Sequence, residues 1–186
     1  VKSGVRALGV AESFRGDRST FAGVVVRASR VVDGVGFGTC EVGGTDATET
    51  VISIFRQLGR EDIRYLLVAG IAPAWFNVLD LHAVAAAVER PVLSVTFEGS
   101  PGLEPALREA FDGDALARRL ETYRAQPPRQ RVAVNGETVF VRAVGVDDGE
   151  AADVVRAFTP EGGRPEPLRV ARLAARGADD AFVSDR

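Results

Sequence analysis

Along the chain, apolar residues gather in short β-branched runs first and at helical spacing later. Val5 to Val10 is apolar except for Arg6, Glu12 to Thr20 is polar, and Phe21 to Val26 is apolar again. This predicts two strands joined by a polar loop. Val31 to Val42 continues in the same style with Gly34, Gly36 and Gly38 interspersed, which predicts a third strand, bulged at a glycine, beside the second. Connections this short imply antiparallel neighbours.

The period changes at Asp46. Val51, Ile54, Phe55 and Leu58 fall at helical spacing, so a helix is predicted over Ala47 to Leu58, with Asp46 as cap and Gly59 as stop. Ile63 to Val68 and Pro91 to Phe97 are continuous apolar runs suited to buried strands. Between them lie a loop, Gly70 to Asn77, and an Ala-rich helical stretch, Val78 to Val88. Leu103 to Phe111 and Ala115 to Tyr123 read as helices divided at Gly113, with Asp114 capping the second. After Pro127-Pro128, Val132 to Val134 and Thr138 to Val141 flank Asn135-Gly136, a dipeptide suited to a two-residue hairpin turn. Asp147 or Asp148 opens a helix to about Phe158, and Pro165 to Arg176 forms the last helix, ended at Gly177; residues 178 to 186 are expected to fray.

Three antiparallel strands followed by right-handed βαβ units is the order of a ribonuclease H-like mixed α/β sheet, with the C-terminal hairpin and two helices as an appendage. In that arrangement strands one and four lie side by side, and their ends are the place to look for acidic residues that share a metal ion. The chain is read as a single domain over residues 1–186, a length that buries a self-sufficient core.

Composition narrows the chemistry. Net charge is −3, with 23 basic and 26 acidic residues, so bulk charge does not select nucleic acid as the partner. Lys2 is the only lysine; the other basic residues are Arg. Cys40 and His82 are each alone, which excludes an intramolecular disulfide and a thiolate zinc cage. Ser13, Ser29 and Ser53 have only His82 as a base, no GK[ST] phosphate loop is present, and Cys40 reads as a small buried hydrophobe. No apolar run approaches the roughly 20 residues of a membrane span, and a signal peptide is not seen, so a cytoplasmic protein is expected.

Several strings carry a resemblance: Leu8-Gly9-Val10, Asp46-Ala47-Thr48, Gly70-Ile71-Ala72 followed by Phe76-Asn77-Val78, and Pro165-Glu166-Pro167-Leu168-Arg169-Val170-Ala171. Together they resemble the archaeal family called domain of unknown function 99, which is similar in turn to endonuclease V. The resemblance implies a metal-dependent DNA endonuclease that hydrolyses a phosphodiester near damaged or deaminated bases such as uracil or hypoxanthine, in DNA repair. Mg²⁺ or Mn²⁺ would polarise the phosphoryl group and activate water, held by hard oxygen ligands. In such relatives an Asp ends strand one and another ends strand four. Here those positions hold Ala11 and Ala69, so the alternative is a catalytically disabled nuclease fold acting as a nucleic-acid-binding or regulatory module.

The remaining metal-ligand candidates are Glu12, Asp46, Glu49 and Asp80, with Glu12 and Asp46 as the catalytic pair. Each has a plainer reading. Glu12 could be a solvated charge, since a one-residue shift along a strand reverses side-chain direction. Asp46 could be only a helix cap, and Asp80 could serve the dipole of its helix. For contacts to damaged or single-stranded DNA the candidates are Arg15, Arg18, Arg169 and Arg172, with Trp75 to stack on an extruded base and Asn77 beside it. A solvated arginine face on the last helix, which Arg176 also shares, and core packing of Trp75 and Phe76 are the alternatives.

Overall fold

Residues 1–183 are described by the computed structural model. One seven-stranded sheet runs in the order β3-β2-β1-β4-β5-β7-β6. Strands β1 (Arg6–Arg15), β2 (Arg18–Arg27) and β3 (Val32–Glu41) form an antiparallel meander. The polar stretch predicted as a loop is instead the ends of β1 and β2, turning over Gly16 and Asp17, because cross-strand pairing continues to Arg15↔Arg18. Strand β4 (Ile63–Ala69) lies parallel to β1, with Val10 opposite Val68, and β5 (Val92–Thr96) lies parallel to β4. The predicted neighbourhood of strands one and four is therefore present.

The hairpin of β6 (Gln130–Val134) and β7 (Glu137–Val144) is not an appendage: β7 pairs antiparallel with β5 and widens the sheet. Its turn is the Asn135-Gly136 pair, with positive φ at both residues. Side chains alternate across the strands, so each face builds its own core. Leu8, Val10, Phe21, Leu66 and Val68 pack beneath α1 (Ala47–Leu58) and α3 (Leu81–Val88). On the other face, Ala7, Leu67, Leu93, Val95 and Val141 meet Leu168 and the apolar side of α6 (Asp148–Ala157).

The last helix, α7 (Glu166–Val183), crosses β1 and β2. It continues through Gly177 rather than ending there, anchored by Ala175 and by Asp179, both buried; Asp179 accepts hydrogen bonds from Ser13 and Thr20. Residues 184–186 of the predicted frayed tail lie outside the described residues. Close approach at the other end of α7 requires glycine on β1: a Cβ on Gly9 would lie 2.3 Å from the carbonyl carbon and oxygen of Pro167. The remaining connections carry a single turn α2 (Pro73–Phe76), α4 (Glu104–Ala110) and α5 (Gly113–Ala125). Helix α5 starts before the predicted Ala115, so Asp114 falls in its first turn, and Asp112 is the cap position. Among the described residues no helix is long and apolar enough to cross a membrane.

Candidate functional site at the carboxyl ends of β1 and β4

Strand β4 stops at Ala69 while β1 runs on to Arg15, which leaves a step beside Ala11. A small cavity of about 30 Å³ occupies the step, lined by Ala11, Glu12, Ala69, Pro73 and Arg172 among others. Ala11 is 3% exposed and packs with Val24, Val26 and Ala171; Ala69 packs against the same group. Glu12 follows Ala11 on the strand and points to the opposite face. There its Oε2 accepts a hydrogen bond of 2.7 Å from Ser19, a diagonal neighbour on β2.

Asp46 precedes α1 but does not cap it with its side chain. Its carboxylate turns back to the backbone N–H of Glu41 and to the Asn77 side-chain amide, at 3.2 and 2.8 Å. Asn77 is fully buried and bridges two loops: its Oδ1 accepts from Ala47 N at 2.9 Å, and its Nδ2 donates to the Glu41 carbonyl and to Asp46. That bond to Ala47 N satisfies one of the orphan donors at the start of α1, the task the sequence assigned to Asp46. Asp80 is the side-chain cap of α3, accepting from His82 N and Ala83 N, while its own N–H donates to Thr48 Oγ1. Glu49 is exposed on the first turn of α1.

The four acids thus lie at the end of the face that α1 and α3 cover, and each is committed to local bonds, Glu49 excepted. Among the described residues no three of His, Cys, Asp and Glu gather to hold a metal ion. Tested by donor chemistry, the step between β1 and β4 does not fit a divalent cation held by protein oxygen: its two central side chains are methyl groups, its single carboxylate, Glu12, is bonded to Ser19, and the charged group that α7 adds is the Arg172 guanidinium.

Trp75 sits in an unusual loop. Ala74, Trp75 and Phe76 all have positive φ, at 48°, 53° and 64°, a left-handed run with no glycine in it. Trp75 is 50% exposed, and its ring meets Phe76 and Phe111 at centroid distances of 5.6 and 5.2 Å. It also covers Gly43, where a Cβ would come within 2.8 Å of the indole. Buried Arg119 of α5 locks this loop. Its guanidinium donates to the carbonyls of Phe76, Gly43, Gly44 and Ala115, and it stacks 3.9 Å from the Phe111 ring centroid. Burial holds its proton affinity below the ordinary arginine value. The sequence signal for Arg119 was weak, since it adjoins Arg118 within the stretch Ala115 to Tyr123, read only as a helix.

The predicted basic residues separate into two groups. Arg15 is ion-paired with Asp179 and Asp180, Arg18 donates to Thr39 Oγ1, and Arg169 forms a two-pronged pair with Glu166. Arg172 is exposed, has no ion pair among the described residues, and reaches the step at Ala11 and Ala69. Sequence reading missed a second basic cluster. Ala69 also borders a cavity of about 290 Å³ at the ends of β4 and β5, whose lining includes Ser94, Thr96, Tyr123, Arg129, Phe140 and Arg142. Arg129 and Arg142 lie far apart from the motifs in sequence and meet only because β7 pairs with β5. Cys40 is buried, and burial pushes its thiol up to about 12, which removes it as a nucleophile at neutral pH.

This geometry has relatives. A UPF0215 protein from Pyrobaculum aerophilum is 32% identical over 95% of both chains. A protein of unknown function from Archaeoglobus fulgidus superposes with a TM-score of 0.83 at 25% identity, covering 93% of this chain and 97% of that one. Endonuclease V from Ciona intestinalis, crystallised with a DNA containing an inosine followed by a ribo-adenosine, superposes at 0.63 with 12% identity, covering 95% of this chain and 87% of that one. The last likeness shows the shared ribonuclease H-like fold. The sequence profile named Endonuclease dU matches residues 3–179, and this chain belongs to that family.

Proposed function

We propose that this chain is a nucleic-acid-binding member of the Endonuclease dU family that handles DNA without metal-dependent hydrolysis of its own. One observation carries the reading. At the step where β1 and β4 end side by side, the inward side chains are Ala11 and Ala69, and the nearby acids are bonded to Ser19, to Asn77 or to a helix start. Phosphodiester hydrolysis by a bound divalent ion needs several anionic oxygens converging within about 2.0–2.6 Å of one point. The step holds a single carboxylate, Glu12, already bonded to Ser19, with Arg172 on the other side. A DNA-bound fold relative and the basic groups around the same sheet end support binding as the retained activity.

A second reading, metal-dependent cleavage at uracil or hypoxanthine in DNA repair, is favoured by family membership and by Glu12, which lines the same step. A nicking assay separates the two. Duplex and single-stranded oligonucleotides carrying uracil or hypoxanthine are incubated with the purified protein in Mg²⁺ or Mn²⁺, with a chelator control, and binding is followed in parallel. Binding in chelator without nicking in metal is the expected result. Metal-dependent nicking that Glu12→Gln abolishes would establish the second reading in its place.

A further inference from the structure

We infer that the 290 Å³ cavity at the carboxyl ends of β4 and β5 is a metal-independent site for the phosphate of a nucleotide, gripped by Arg129 and Arg142. The inference rests on the proposed binding function only for the identity of the ligand; the cavity itself stands on its own geometry.

Arg142 lies on β7 opposite Ser94 of β5, and Phe140 lies opposite Thr96, so sheet pairing sets both side chains over the strand ends. Arg129 enters from the segment before β6. Each guanidinium is backed by an aromatic ring: Arg129 is 4.9 Å from the Phe140 centroid and Arg142 is 5.5 Å from that of Tyr123. Stacking fixes the plane of a guanidinium while leaving edge N–H groups to recognise an anion in two-pronged fashion. Backbone carbonyls accept from both, Ser100 from Arg129 and Pro127 from Arg142, and the Tyr123 side chain also faces Arg142. Neither arginine has an ion pair among the described residues, unlike Arg6, Arg27, Arg60, Arg124 and Arg169, which all do. Desolvation holds Arg142 below its ordinary proton affinity, the condition of a cation that gains from a bound anion.

The other walls complete a nucleotide-shaped space. Ile71, Leu103, Tyr123 and Phe140 supply apolar and aromatic surface, and Ser94 and Thr96 supply hydroxyls. Ligand pockets run from roughly 300 Å³ upward, so this cavity is on the scale of one small mononucleotide and no more. Glu98 is the acid in the lining; it is exposed at the rim and pairs with neither arginine. Beyond Ala69, a second unpaired couple extends the positive potential: Arg172 at the β1 step, and Arg164, stacked 4.3 Å from the Phe97 centroid and close enough to feel the charge of Arg172. A strand whose terminal phosphate enters the cavity could continue towards that couple, whereas a free nucleotide would use the cavity alone.

Calorimetric titration in EDTA tests the site, with uridine 5′-monophosphate, inorganic phosphate, and a short single strand with and without a 5′-phosphate as probes. The nucleotide should bind without metal. Arg129→Gln and Arg142→Gln should each weaken it about tenfold or more, the scale of one charge-assisted contact. Arg142→Lys should recover part of the loss, and thermal melting certifies that each variant is folded. A 5′-phosphorylated strand binding tighter than the nucleotide identifies a strand end as the source; equal affinities identify the free nucleotide. The inference is overturned if the folded protein ignores the nucleotide in EDTA, or if both Gln variants bind it unchanged. Strands bound with no dependence on either arginine would remove this site but keep the nucleic-acid reading. Nucleotide binding that needs both arginines, without any strand binding, would do the reverse.

Discussion

Replacing Arg119 by Met removes the guanidinium while keeping most of the aliphatic stem, and so isolates the clamp on the Trp75 loop. Three of its four acceptors belong to other segments: the carbonyls of Gly43 and Gly44 after β3, and that of Phe76 after β4. Hydrogen bonds from a charged donor are worth about 1.5–3 kcal/mol each, but removing a buried charge with no carboxylate partner recovers its desolvation penalty. The net loss should be about 2–4 kcal/mol, which for a chain of this size lowers the melting temperature by roughly 5–15 °C. Trp75 is the single tryptophan, and its ring touches Phe111, on which Arg119 stacks. Tryptophan emission, excited selectively over the two tyrosines, therefore reads this loop alone. In Arg119→Met the emission should shift to the red and become more accessible to a soluble quencher well below the melting transition. Arg119→Lys should fall between, since a single ammonium cannot reach all three loop carbonyls. If Arg119→Met melts like the parent with unchanged emission, the loop is held by packing and the clamp argument is refuted.

Three further outcomes are expected. Gly9→Ala should cost about 3 kcal/mol or more in urea unfolding, because its Cβ would meet the Pro167 backbone at 2.3 Å, where no flexible side chain can yield; a loss below about 1 kcal/mol would mean that α7 is not seated as described. Asp33 is held down to about 2 from 3.8, chiefly by the hydrogen bond from Arg27 and also by Arg6. A depressed carboxylate stabilises fully above its unfolded value and loses that contribution as pH falls through its folded one, so the urea midpoint should drop between pH 4 and pH 2. Asp33→Asn should flatten that window, and an unchanged slope would contradict the pairing. Finally, Ala11→Asp with Ala69→Asp should create affinity for Mn²⁺ measurable by calorimetry, at a stability loss without metal from desolvation and like-charge repulsion. A folded double variant that binds no metal would show that these strand ends do not converge as ligand positions.

Hydrophobic period was enough to recover the β1–β4 neighbourhood and most helices, because buried runs such as Ile63 to Val68 admit few alternatives. It failed where pairing or distant contacts override local character. The polar residues of the β1–β2 hairpin look like a loop, yet cross-strand hydrogen bonding carries them into the sheet. Gly177 looks like a stop, yet Asp179 beyond it is bound to Ser13 and Thr20, and the helix continues. Asp46 has the residue type and position of a cap, and the cap bond from Ala47 N went to Asn77, 30 residues from Ala47. For the site, the two alanines were readable as departures from a motif. Arg119, Arg129 and Arg142 were not, since an arginine, whether on a helix, on a strand or just before one, carries no local mark of which carbonyl, ring or cavity it will meet.

The run from Ala74 to Phe76 gives the molecule a short stretch of inverted handedness. An L-residue in that conformation loses about 1–2 kcal/mol relative to its right-handed counterpart, and here three stand in a row, one of them aromatic. For a D-amino acid the same dihedral angles are the comfortable ones. Semisynthetic insertion of D-alanine at position 74 would therefore leave the path of the chain intact where most L-substitutions leave the strain unchanged. It follows that the position of the indole is a matter of chirality as much as of contacts: relaxation of these three residues to the ordinary hand would carry Trp75 away from Gly43 and release the bond from Gly43 N to the Ala74 carbonyl.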